Sequence, residues 1–84
     1  MASWRDPGGE IWGTVGAVLA WASLVVVVRP GRPEARFHVN SETEVTVNGR
    51  RGQLPDVRPG QRVRIRFDIV GDAPVATEII AERA

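Results

Sequence analysis

The chain has 84 residues, 43% of them hydrophobic and 25% charged, with a formal net charge of +1 and no cysteine. That composition belongs to one small globular domain, burying about 60–65% of the surface its unfolded chain would expose. It excludes disulfides, thiolate metal sites and wholesale disorder. All eleven basic residues are arginine, so every cation is planar, bidentate and suited to carboxylates, phosphates and aromatic faces.

Residues 1–9 read as a flexible N-terminal tail, with Trp4 free to pack back, and residues 10–84 as a single small β-barrel domain. The run Ile11–Val28 carries no charge over eighteen residues and admits three readings. It meets the lower length limit for a transmembrane helix, with Arg29, Arg32 and Arg36 on its cytoplasmic flank. Alternatively, Ile11–Ala20 is the apolar region of a signal peptide, with Ala20-Trp21-Ala22 as its cleavage site. Asp6 and Glu10 stand where that reading wants positive charge. The third reading, preferred here, is a pair of strands. Thr14, Val15, Val18 and Val25–Val28 are β-branched and favour extended backbone. Gly13 and Gly16 suit a strand that bends or lies close to another backbone. The connection Ala20–Ser23 lacks the usual turn residues.

Beyond Arg29-Pro30-Gly31-Arg32-Pro33, a turn cluster, the pattern is β. Ala35–Asn40 alternates, with Phe37 and Val39 on one face. Glu42–Val47 alternates again, with Thr43, Val45 and Val47 together. Asn48-Gly49 is a favoured two-residue hairpin turn, and the strand after it is short. Leu54-Pro55-Asp56-Val57 suits one helical turn that drops Leu54 and Val57 onto the core. Arg58-Pro59-Gly60-Gln61 carries a type II turn signature. Gln61–Val70 puts Val63, Ile65, Phe67 and Ile69 inward and Arg62, Arg64, Arg66 and Asp68 outward. A turn over residues 71–74 leads into Val75–Ala81. Five strands with short turns and no amphipathic helix make an all-β protein and a small barrel.

Gly13-Thr14-Val15, Leu24–Val28, Phe37–Val39 and Thr43-x-Val45-x-Val47-Asn48-Gly49 occur in that order. Leu54-Pro55-Asp56-Val57-Arg58-Pro59-Gly60, Val63 and Ala76-Thr77-Glu78-Ile79 follow. In order and spacing this resembles a bacterial family of small OB-like β-barrels classed as a domain of unknown function. The resemblance spans residues 10–82 and implies a five- to six-stranded OB-like (Greek-key) barrel, with little about activity. One departure is the apolar Leu19-Ala20-Trp21-Ala22, where the family has a polar turn.

Two constellations are candidate contact surfaces. Arg50, Arg51, Arg58, Arg62, Arg64 and Arg66 crowd a stretch in which Asp56 is the sole acid. Alternation spaces Arg62, Arg64 and Arg66 at about 6.5–7 Å on one strand face, a track for a phosphate backbone. The competing and preferred reading is an ion-paired solvated face, with Glu42 and Glu44 on a strand that could pair with Gln61–Val70. The second constellation is apolar: Leu19 and Trp21 at a hairpin tip, with Trp12 as a further contact residue. Trp12 reads first as core. Trp21 reads as a partner anchor, since Trp is enriched at interface hot spots.

No nucleophile–base pair is apparent, His38 is alone, and no cofactor or metal is expected. The function expected is therefore non-enzymatic: a binding or assembly module that self-associates, or engages a protein partner, through the apolar tip and exposed sheet edges. The alternatives are single-stranded nucleic-acid or polyanion binding through the arginine face, and a membrane-anchored domain with residues 11–28 as the anchor. A cytoplasmic setting is slightly preferred over a secreted or membrane-anchored one.

Overall fold

The computed structural model describes residues 5–83. Seven strands run through them: β1 (Arg5–Leu19), β2 (Leu24–Val28), β3 (Ala35–His38), β4 (Glu44–Val47), β5 (Arg50–Gly52), β6 (Arg62–Val70) and β7 (Ala73–Glu82). Their order is β3-β2-β1-β6-β7-β4-β5, and a parallel contact of His38 with Val75 joins β3 to β7 and closes the sheet. The long β1 makes closure geometrically feasible. Its N-terminal part pairs with β6 as far as Thr14, and its C-terminal part, from Thr14 on, pairs with β2. The result is the expected small OB-like barrel, with β4 and β5 added as a short hairpin beside β7.

The uncharged run is a hairpin. Among the described residues no helix is long and apolar enough to cross a membrane, so the transmembrane-helix reading of residues 11–28 is corrected. Ile11–Ala20 likewise forms paired strand and the start of a turn, not the apolar helix of a signal peptide. The run is uncharged because β2 is apolar on both faces. Val25 and Val27 are fully buried, and Val26, on the opposite face, is only 6% exposed. The connection works without Gly, Asn or Pro. Ala20–Ala22 form one 3-10 turn, and Ser23 takes the left-handed conformation at φ 51°. The Ser23 N–H donates to the Ala20 carbonyl at 3.2 Å, and its own carbonyl accepts from Val39 N–H at 2.8 Å.

Part of the expected tail is strand. Arg5–Gly9 already pair with Phe67–Val70 of β6, so they belong to the sheet, with a register shift between Pro7 and Gly9. Trp4 lies outside the described residues. Trp12 is also corrected. It is 65% exposed, because the inward position beside it is Gly13, whose space Val27 fills.

The interior is built from alternate residues of the strands. Val15, Val63, Ile65 and Ile79 are at most 2% exposed, and no polar or charged side chain is buried among the described residues. Full burial of a Val or Ile side chain is worth about 1.5–3 kcal/mol. Phe37 and Phe67 meet at a tilt, ring centroids 4.9 Å apart. The 3-10 turn Leu54–Asp56 presses Leu54 and Val57 into this core as expected. Gln53 and Asp56 cap it reciprocally, the Gln53 N–H donating to Asp56 Oδ2 at 2.8 Å.

Candidate binding surfaces

The hairpin tip is a rigid apolar projection. Trp21 is 87% exposed at the centre of the 3-10 turn, while Leu19 and its register partner Leu24 are half-buried at its base. Trp12 does not join them. It lies seven residues back along β1, about 23 Å at ordinary strand rise, and packs against the arginine stripe instead.

That stripe is built by register. On the outer face of β1, β6 and β7 three rows run side by side: Glu10–Arg66–Glu78, Trp12–Arg64–Ile80 and Thr14–Arg62–Glu82. Arg66 Nε donates to Glu10 Oε2 at 3.0 Å and approaches Glu78 at 3.9 Å. Arg64 lies 3.8 Å from Glu78, and its guanidinium stands 5.4 Å from the centre of the Trp12 ring. The Arg66 hydrogen bond is the main influence holding the Glu10 carboxyl below its ordinary value. The charges of Arg64 and Arg66 and the neighbouring Trp12 indole act the same way, against partial desolvation. Reciprocally, Glu10 raises the Arg66 guanidinium.

Five side chains thus hold one another, and two of the three stripe arginines are engaged locally. The ion-paired face is the one expected, with different acids. Glu42 and Glu44 do not oppose β6, because β4 runs parallel beside β7; Glu10 and Glu78 take that role. Trp12 and Arg64 also frame a groove of about 530 Å³, shared with Gly13, Arg62, Ile80 and Glu82.

The remaining sequence candidates separate. Arg51 lines a second depression, of about 700 Å³, together with Ala20, Ser23, Asn40, Glu44 and Gln53. Arg50 and Arg58 are exposed; Arg50 opens β5 and Arg58 opens the turn before β6, so their backbones lie at the same end of the barrel as Arg62. The Arg58–Gln61 turn is pinned to β1 by Gly60 N–H on the Val15 carbonyl at 2.8 Å. The β4–β5 turn is pinned to the end of β7, with the Arg83 N–H on Asn48 Oδ1 at 2.8 Å. The end of β2 comes in from the other side. A Cβ placed on Gly13 would lie 3.0 Å from Arg29 Cγ. The backbones of Arg29, Arg32 and Arg83 therefore lie at the same end of the barrel as those of Arg50, Arg58 and Arg62. Sequence reasoning missed these three because they flank strands distant in the chain; the turn positions of Arg29 and Arg32 were the available signal.

His38 is exposed on β3. Among the described residues no group of three or more His, Cys, Asp or Glu is placed to hold a metal ion.

No family model matches the chain, and no curated protein matches it significantly. Among solved structures, apo-CusF residues 6–88 from Escherichia coli superposes with a TM-score of 0.65 at 13% sequence identity, covering 93% of this chain and 87% of that one. The shared feature is the fold. This is a small all-β barrel of OB-like form.

Proposed function

We propose that the protein is a non-enzymatic binding module that assembles through the Ala20–Ala22 tip, with a second copy of itself as the first partner. The observation that carries this reading is Trp21, 87% exposed on a turn fixed by backbone hydrogen bonds on both sides. A large apolar side chain held rigidly in water gains by burial at an interface and loses little conformational entropy there. In OB-like barrels the connection between the first two strands is one of the loops that carries ligand contacts, and here that connection is the tip. The likeness of its strand and turn motifs to bacterial OB-like domains of unknown function supports the same reading of the fold.

Sedimentation velocity over a hundredfold range of concentration tests it. The wild-type chain is expected to associate as concentration rises, and Trp21→Ser to remain monomeric. Because Trp21 is so exposed, the substitution is expected to change stability by less than about 0.5 kcal/mol, which separates lost association from lost folding. A wild-type chain that stays monomeric throughout overturns self-association.

A further inference from the structure

We infer that a second, separate surface binds single-stranded nucleic acid: a band of arginines across the strand ends, with Trp12 as the platform for a base. Arg29, Arg32, Arg50, Arg58, Arg62 and Arg83 belong to four connections and strand ends, far apart in sequence, whose backbones meet at one end of the barrel, around its rim. The register sets that level. Val28 and Arg62 both oppose Thr14, Arg62 opposes Glu82, and Val47 opposes both Ala81 and Arg50. Five strand spacings of about 4.8 Å separate β2 from β5, so the band crosses roughly 24 Å, room for about four nucleotides, the lower end for one barrel of this type.

Among the described residues none of these six arginines has an ion pair; the pairs belong to Arg36, Arg64 and Arg66. Glu82 is the acid within the band, and Glu34 at its margin is tied to Arg36 at 3.0 Å. Arg29 Nε is buried without a hydrogen-bond partner. The excess charge is thus unanswered by the protein, which is what a phosphate backbone requires.

Charge alone would suit any polyanion; Trp12 narrows the ligand. One face of its ring meets the Arg64 guanidinium, and the residue is still 65% exposed. The groove between Trp12, Arg62 and Glu82 is open beside it. An indole backed by Arg64, with the unpaired Arg62 guanidinium in the same groove, is the pairing that stacks a base while its phosphate is held. In a duplex the bases are already stacked on one another.

The test is fluorescence anisotropy with a fluorescein-labelled twelve-nucleotide single strand and the matching duplex, using the full chain. Single-strand affinity is expected to fall about thirtyfold between 50 and 200 mM salt, as three to four phosphate contacts require. Trp12→Ala should weaken it about tenfold, Trp12→Phe should restore most of the loss, and Arg62→Glu should weaken binding and flatten the salt slope. Trp21→Ser should leave it unchanged, which keeps this result independent of tip-mediated association. Circular dichroism of each variant confirms the fold. Absence of binding at 50 mM salt, a duplex bound as tightly as the single strand, or indifference to Trp12→Ala overturns the assignment.

Discussion

Gly13 marks the closest approach of β1 and β2. A Cβ there would fall 2.6 Å from Val27 Cγ1 and 2.8 Å from the Val28 carbonyl oxygen, and a carbonyl in a strand ladder cannot step aside. Gly13→Ala is therefore expected to destabilise the fold by about 1–3 kcal/mol, the usual cost of overpacking, read as a lower denaturant midpoint with an unchanged slope. An unchanged midpoint would show that the strands separate more easily than their register suggests. The same glycine explains Trp12. Size argues for burying a tryptophan, whereas alternation groups Trp12 with Glu10 and Thr14, away from Ile11 and Val15. Alternation prevails because the inward space at this level is already taken by Val27. A glycine in a strand was readable as a bend or a close approach; which of the two depended on a partner strand that the local sequence does not name.

The β4–β5 hairpin shows what a turn signal can and cannot convey. Asn48 and Gly49 have φ of 51° and 81°, both left-handed, as the two-residue turn needs. Asn48 also accepts the Arg83 N–H and donates its own N–H to the Ala81 carbonyl at 2.9 Å, so the turn anchors the end of β7. Asn48→Ala should cost about 1–2 kcal/mol, combining a less tolerated backbone conformation with a lost hydrogen bond; thermal unfolding checks it. Strands after residue 35 were legible because their alternation is strict. The partner of β4 was not. Glu42 and Glu44 suggested pairing with β6, but β4 joins β7 in parallel, and parallel neighbours are chosen by barrel closure rather than by adjacent turns. The Ala20–Ser23 turn was illegible for another reason: a serine accepts the left-handed conformation that sequence patterns assign to Gly or Asn. The arginine stripe could be read from spacing alone, while the true counter-ions of Arg64 and Arg66, Glu10 and Glu78, required the register.

At the scale of the molecule the strands are unequally secured. β6 is paired along nearly its whole length on both edges, whereas β3 meets β7 at one residue pair and β5 has a single partner. Protection of backbone amides should follow that ranking. Hydrogen exchange is expected to be slowest in Val63–Phe67 and fastest in Arg50–Gly52, with Ala35–Phe37 opening well before the centre of β6. Equal protection of β3 and β6 would mean that the barrel opens as one unit. The longest dimension is 42 Å against 22 Å for the shortest, since β1, β6 and β7 run on together past the closed part. The tip at Trp21 and the groove at Trp12 are separated by the seven residues of β1 from Trp12 to Leu19, about 23 Å of strand, far enough apart for both to be occupied at once.

The exposure of Trp12 and Trp21 also governs how the molecule reports on itself in light. The chain contains no tyrosine and three tryptophans, and these two sit in water while the protein is folded. Their emission is already shifted toward the red in the native state, so unfolding should move it little. Contact with a partner should move it to the blue. For this protein, tryptophan fluorescence is a gauge of occupancy more than of folding.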